Sequence, residues 1–294
     1  MGLKVLPGPR FSERTTLKLG GPTLAEVHIG HDRDLDELPG VLEKAGGRPL
    51  VLGWGSNILA SDETLPVVLV RVPEGSSPRI VHETGERVAV QVDAGMRLPR
   101  LLAWCAKQGL SGLEGLVGIP GSVGGAVAMN AGSFGCDMAQ FLTRTLLFSP
   151  CCGLRWVDRE GVRMDYRFFA PRTYDNYFIV LGAELELTRA DVPLINEAMS
   201  RCLDKKMVTQ PIKAASAGCV FKNPEGDAAG RLLDEAGFRG KALGGMVFSD
   251  VHANFLVNAG GGTSDQAFEL IAQARDEVAR RFGVGLELEV KVVS

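Results

Sequence analysis

Gly115-Leu116-Val117-Gly118-Ile119-Pro120-Gly121-Ser122-Val123-Gly124-Gly125-Ala126-Val127-Ala128-Met129-Asn130-Ala131-Gly132-Ser133-Phe134-Gly135 carries seven glycines and no charge. Upstream, Gly109 and Gly112 extend a three-residue glycine spacing that runs to Gly124. A collagen repeat is excluded, because the intervening residues are mostly apolar and Pro120 is the one proline among them. A membrane span is excluded as well, since so many glycines with Pro120, Asn130 and two serines make a poor apolar helix. What remains is a packed, glycine-rich loop system. Glycine supplies 37 of the 294 residues, nearly twice the ~7% share of ordinary soluble chains.

The bulk composition bounds the rest. Apolar residues make up 45% and charged residues 23%, enough to build a core, and the length suits two or three compact units. Net charge is −3 and no long basic tract exists, so nucleic acid is not expected as a partner. Charge is uneven, however: residues 201–241 hold eight basic and five acidic side chains, a place for an anionic ligand. The N-terminal stretch has no apolar run of signal-peptide length. Six cysteines show no C-x-x-C spacing, which argues for reduced thiols in a cytoplasmic protein without a metal site.

Periodicity implies an α+β chain. Short strands are expected at Leu50–Leu52, Val67–Val72, Val88–Val92, Arg144–Phe148 and Phe178–Leu187, with a helix at Leu98–Lys107 stopped by Gly109. The regular strand–helix alternation of a Rossmann sheet is absent. Beyond a break near Thr188–Pro193, helices are expected from about Asp191 to Met207, at Ala228–Ala236, and at Asp265–Phe282. The last would bury Phe268, Ile271, Ala272, Arg275, Val278, Ala279 and Phe282. Alternation of Leu286, Leu288, Val290 and Val292 predicts a final strand.

Several short motifs carry chemistry. Gly53-Trp54-Gly55-Ser56-Asn57 follows an apolar strand, where glycines let backbone N–H groups approach a phosphate and Ser56 and Asn57 add donors. Ile58 stands where a Rossmann fingerprint would continue, so that motif is excluded; a plain strand-ending turn is the alternative. Ser216-Ala217-Gly218-Cys219-Val220-Phe221-Lys222-Asn223-Pro224 places a thiol near a cation, a plausible proton donor or simply a buried cysteine beside a surface lysine. Arg167 could hold a carboxylate through its two-pronged guanidinium, and Glu289 interrupts an apolar strand. His252 is a further ligand candidate or a structural histidine. On residue chemistry alone, the chain binds a phosphate-bearing ligand through glycine loops.

Taken in order, these segments resemble the UDP-N-acetylenolpyruvoylglucosamine reductase family. The resemblance runs through Thr15–Gly21, Gly53–Ile58, Gly115–Gly135, Tyr166-Arg167, Ala217–Pro224, His252–Asn258 and Leu286–Val290, and so covers nearly the whole chain. It implies a flavin-binding domain of the vanillyl-alcohol-oxidase (PCMH-like) type over residues 1–190, in subdomains of roughly 1–72 and 73–190. A smaller α/β substrate domain would follow over 191–284, and the last strand, 285–294, would return to the flavin domain. FAD is the implied cofactor, NADPH the reducing co-substrate and a UDP-sugar the small-molecule substrate. No membrane partner is implied, a monomer is favoured, and the reaction is a step of peptidoglycan precursor synthesis.

The resemblance also assigns residues. Gly53, Gly55, Ser56, Asn57, Ile58, Gly118, Pro120, Gly121, Ser122, Gly124, Gly125, Asn130 and Gly132 would bind FAD. Tyr166 and Asn223 would contact substrate, and Lys213 and Lys222 join them from the positive segment. Hydride would pass from flavin N5 to the vinyl carbon, with Arg167 and Glu289 stabilising the enolate-like charge and Cys219 donating the proton. The family often has serine where Cys219 stands. Gly182 follows Arg167 by only 15 positions, so the chain resembles the shorter, second type, which lacks an inserted substrate-covering segment. On this reading, a bulky side chain at Gly121 or Gly124 should remove flavin before it disturbs folding. A different flavin oxidase on the same fold, or a nonenzymatic nucleotide-sugar binder, are the alternatives.

Overall fold

A computed structural model of the chain describes residues 3–294. It separates into two compact units, and neither is continuous in sequence. The first comprises the residues through Leu6, Ala25–Gly53 and Val68–Lys205; the second comprises Pro7–Leu24, Trp54–Val67 and Lys206–Ser294. This division differs from one drawn at 72/73 and 190/191. The reason lies in side-chain packing: Leu17, Leu19 and Leu59 join the core of the second unit, while Met199 packs on the core of the first.

Beside two short two-stranded sheets, the first unit is built on two larger ones. In one, the strand order is Lys4–Pro7, Ala25–His28, Val67–Arg71, Arg48–Val51, and Ala25–His28 runs parallel to Val67–Arg71. Helix α1, Asp34–Ala45, covers this sheet with Leu35, Leu38 and Leu42. Pro39 and Gly40 inside it hide its period from a sequence reading. The second sheet is antiparallel, in the order Gly153–Asp158, Leu142–Ser149, Ile179–Arg189, Arg87–Asp93, Arg79–Thr84, with Leu110–Ser111 also on Ile179–Arg189. Ala183, Leu185 and Leu187 face Val92, Val90 and Val88 across the central pair, and all six are buried. Helix α2, Leu98–Lys107, has the bounds its pattern predicts. Helix α3, Val123–Ala128, is a single capped turn and a half within the glycine-rich stretch. Both contribute to the same core. Helix α4, Val192–Thr209, follows.

The second unit is built on an antiparallel sheet of Ser216–Cys219, Phe255–Asn258, Met246–Phe248 and Ala242–Leu243. Helix α5 is Ala229–Glu235 and helix α6 is Ser264–Phe282. Thr263 and Gln266 form a reciprocal capping box at the start of α6, and Gly283 ends it in the left-handed conformation. The buried face of α6 is Ala267, Leu270, Ile271, Ala274 and Val278, with Phe268 and Phe282 packed partly buried against the same core, so the expected face is met at Phe268, Ile271, Val278 and Phe282 only. Ala272, Arg275 and Ala279 are exposed. A stripe starting at Ala267 buries Leu270 and keeps Arg275 in water, so it outcompetes one that would bury a guanidinium.

The predicted final strand is also broken. Leu288 bridges Phe221, whereas Lys291–Val293 runs parallel to Ile58–Ala60. Between them the alternation slips: Val290 and Val293 are both buried and Val292 is exposed. No helix among the described residues is long and apolar enough to cross a membrane.

Candidate active site

Within the first unit, a groove is walled by Val51, Leu52, Gly53, Val72, Ala94, Gly95, Ser122, Gly124, Gly125, Ala128, Phe178 and Val180. None of these is charged. A Cβ on Gly53 would lie 2.5 Å from the Ser122 hydroxyl, so any side chain there must displace that hydroxyl. Arg71 donates to the Gly53 carbonyl, and its guanidinium lies 3.7 Å from the buried Glu26 carboxylate. Neither residue was singled out by sequence. A buried ionic pair inside a β-rich apolar stretch was the available signal.

These walls fit a flat, uncharged ring system better than a phosphate. Gly124 N–H donates to the Ala94 carbonyl at 2.8 Å, and Gly125 N–H donates to the Ser122 hydroxyl at 3.2 Å. Those two donors are therefore engaged within the protein. Gly124 has a packing reason of its own: a Cβ there would meet the Ala94 Cβ at 2.8 Å. Gly121 is buried with φ +144°, and its carbonyl accepts from Leu98 N–H. Gly118 and Pro120 sit on the loop leading into this turn, half-buried and exposed respectively.

The same glycine-rich stretch builds a second feature around Arg167. Arg167 donates to the Gly132 carbonyl at 2.9 Å and to the Asn130 carbonyl at 3.5 Å, and its guanidinium lies 5.0 Å from the Tyr166 ring. Asn130 is 3% exposed and fully committed: its amide donates to the Asp165 carbonyl, and its side-chain oxygen accepts from Ala139 N–H. Asn130 and Arg167 both adopt positive φ, +39° and +55°. Such strain in non-glycine residues is held only where surroundings over-determine it, and it concentrates at functional positions. Asn130 and Gly132, expected to touch cofactor, here accept from Arg167 through their backbone carbonyls.

In the second unit, Cys219 ends the strand Ser216–Cys219 and is half-buried. The Val220 carbonyl beside it accepts from both Glu289 N–H, at 2.8 Å, and Val290 N–H, at 3.3 Å. Two residues facing one is the pattern of a bulge, which re-aims side chains. It explains the slipped alternation and brings Glu289 next to the Cys219 strand. Asn57 fixes the same segment: its amide donates to the Glu289 carbonyl at 3.1 Å, and its own carbonyl accepts from Lys291 N–H. Gly55 packs where a Cβ would lie 2.2 Å from the Arg14 carbonyl. Ser56 is half-buried in the turn, and Ile58 opens the strand paired to Lys291.

Two further residues hold this strand. Asn254 is 1% exposed and binds Phe221 at both its N–H and its carbonyl. Thr16 donates to the Ser216 carbonyl at 2.6 Å. Both lie in stretches that carry the family resemblance, but nothing in their spacing reveals the role. Among the expected substrate ligands, Lys222 pairs with Glu287 at 3.3 Å, and Asn223 accepts from Ala229 N–H at the start of α5. Lys213 is exposed in the turn after α4, and Tyr166 is 45% exposed.

Residues 210–293 match the family of the UDP-N-acetylenolpyruvoylglucosamine reductase C-terminal domain, and residues 24–163 match the FAD binding domain family. A UDP-N-acetylenolpyruvoylglucosamine reductase of Nitratidesulfovibrio vulgaris is 55% identical over 99% of this chain and 99% of its own length. The chain belongs to the UDP-N-acetylenolpyruvoylglucosamine reductase family. One from Oleidesulfovibrio alaskensis is 50% identical over 98% of this chain and 97% of its own length. The solved structure of a UDP-N-acetylenolpyruvylglucosamine reductase from Thermus caldophilus superposes with a TM-score of 0.83 at 32% identity, covering 99% of this chain and all of that one. The chain is an FAD-dependent oxidoreductase, and its α+β architecture is the expected flavin-binding fold with the C-terminal domain of this family.

Proposed function

We propose that the protein reduces the enolpyruvyl ether of UDP-N-acetylglucosamine to UDP-N-acetylmuramate, with NADPH as reductant, in peptidoglycan precursor synthesis. The supporting observation is the bulge that sets Glu289 beside the Cys219 strand. FAD, when bound, supplies two-electron transfer between the reductant and the vinyl group. The chain's own task is to handle the charge and the proton that follow. Arg167 would pair with the substrate carboxylate as negative charge spreads into it, a stabilisation larger in the transition state than in the ground state. Glu289, protonated, would add a hydrogen bond to the same oxygens. Cys219 would give its proton to the carbon next to the carboxylate, a role a thiol fills more readily than an alcohol.

Gly53, Ser122, Gly124 and Gly125 would hold FAD as the walls of the groove, with Gly118, Pro120 and Gly121 shaping the loop above them. Gly55, Ser56, Asn57, Ile58, Asn130 and Gly132 are further candidates for holding FAD. Tyr166, Asn223, Lys213 and Lys222 remain the candidates for substrate contacts. We place the protein in the cytoplasm, where its six cysteines would stay reduced. The test is anaerobic. NADPH should bleach the purified yellow protein, and the enolpyruvyl sugar nucleotide should restore the colour with one product formed per flavin. Rapid recolouring by oxygen alone, with none by the sugar nucleotide, would point to an oxidase instead.

A further inference from the structure

The turn between the strands Leu142–Ser149 and Gly153–Asp158 carries two adjacent cysteines, Cys151 and Cys152, that the reductase chemistry does not use. Their sulfurs lie 2.9 Å apart. This is within the separation of reacting atoms in a near-attack arrangement, ~3–3.5 Å or less. Cys151 is exposed, and Cys152 lines a cavity of about 400 Å³ with Ser149, Arg155 and Tyr174. We propose that Cys151 and Cys152 form an oxidation site for small hydroperoxides, closing reversibly to a vicinal disulfide.

The chemistry of the pair supports a division of labour. The Cys151 thiol and the Ser149 hydroxyl lie within hydrogen-bonding reach and, with the Arg155 charge, hold the Cys152 thiol below its ordinary range, against burial and the Asp175 charge. Cys152 also lines the cavity, so its sulfur is placed as the attacking one. Its sulfur takes the terminal oxygen of the hydroperoxide as the O–O bond breaks, giving a sulfenic acid and an alcohol, or water from hydrogen peroxide. Cys151 sulfur then attacks that sulfur, and the hydroxyl leaves as water with the Cys151 proton. Two thiols and one hydroperoxide become one disulfide, one alcohol and one water.

The bond so formed is strained. Adjacent Cα atoms are ~3.8 Å apart, short of the ~4.4–6.8 Å that relaxed disulfides span. A strained, exposed disulfide is readily reduced, as a reversible mark in a reducing compartment must be. Cys105 and Cys136 contrast with this pair. Burial, reinforced by Glu114, pushes their thiols up to about 12 and about 11, so they stay protonated and protected.

Trypsin would release Thr145–Arg155, a peptide holding both cysteines of the pair and no other. The full-length flavoprotein is treated with equimolar hydrogen peroxide, quenched with an alkylating agent and digested. The expected peptide is unalkylated and two hydrogens lighter, and dithiothreitol restores both alkylatable thiols. Cys151→Ser should stop at a dimedone-trappable sulfenic acid on Cys152, whereas Cys152→Ser should slow oxidation by at least about tenfold. The proposal is overturned if the peptide keeps two alkylatable thiols while other cysteines oxidise. A disulfide that links two protein molecules, or a sulfinic acid formed without a disulfide, would overturn it equally.

Discussion

Arg167 and Glu289 are proposed to meet the same developing charge, yet the two units hold them by different means. In the first unit the side chain itself is tied: the Arg167 guanidinium is fixed to two backbone carbonyls, on a residue with positive φ. In the second unit the backbone of Glu289 is held, by Val220 at its N–H and by Asn57 at its carbonyl. The contrast suits their roles. A guanidinium acts through the direction of its planar fork, so it is the side chain that must be aimed. A carboxyl proposed to offer a hydrogen bond can be positioned through the chain that carries it.

The largest effect should come from the proton donor. Cys219→Ala is expected to lower product formation by ~10²–10⁴-fold, the usual worth of a positioned general acid. Flavin bleaching by NADPH should keep its rate, and Cys219→Ser should retain turnover. Stopped-flow absorbance of the two half-reactions separates these steps. Full turnover by the alanine variant would remove Cys219 from the mechanism.

Next comes the aimed cation. Arg167→Lys keeps the charge but cannot reach both the Asn130 and the Gly132 carbonyls from one planar fork. A loss of ~10²-fold or more in kcat is expected, with unchanged flavin content. Steady-state kinetics beside the flavin-to-protein ratio test this. A variant with wild-type kcat would show that aiming is unimportant, and the contrast between the units would collapse.

The glycines offer an intermediate effect. At Gly124 the structure sets a packing cost beside the expected loss of flavin. Valine at Gly124 would press on Ala94, with its Cβ 2.8 Å from that methyl, and overpacking of this kind costs ~1–3 kcal/mol. The apoprotein should therefore melt several degrees lower, with or without excess FAD. If only flavin affinity falls and the apoprotein melts normally, Gly124 serves the cofactor after all.

How much of this was legible beforehand follows from the range of the interactions. Helix α2 and the strands around Val90 and Leu185 were readable because local period and burial coincide there. The glycine-rich stretch announced a functional region, but its letters could not say that the Asn130 and Gly132 carbonyls accept from an arginine 35 or more residues away. The bulge at Glu289 was hidden because alternation through Leu286, Leu288, Val290 and Val292 looks continuous until two different partner strands claim its halves. The face of α6 was partly misread because alanine is ambivalent, so either of two stripes fits until Leu270 and Arg275 are compared. The pairing of residues 7–24 and 54–67 with the C-terminal sheet is a long-range choice with no local signature.

The smallest expected effect probes how the second unit starts α5, close to Asn223. Asp227 accepts from Ala228 N–H at 2.7 Å and from Arg231 Nε at 2.8 Å, and Asn223 accepts from Ala229 N–H. The hydrogen bond from Arg231, helped by that from Ala228, holds the Asp227 carboxyl down at about 2, against 3.8 for a free aspartate. A depressed folded-state pKa contributes stability that is complete above the unfolded value and is lost as pH falls through the folded one. Asp227→Asn should accordingly lower the melting temperature slightly at pH 7. The gap between variant and wild type should shrink from about pH 4 downward and close near pH 2. Because Arg231 is partly solvated, salt should shrink the gap too. A gap that persists unchanged at pH 2 would mean that the variant disturbs the Asn223 turn itself. The asparagine at 223 would then be a structural support of α5, and its place among the substrate contacts would have to be given up.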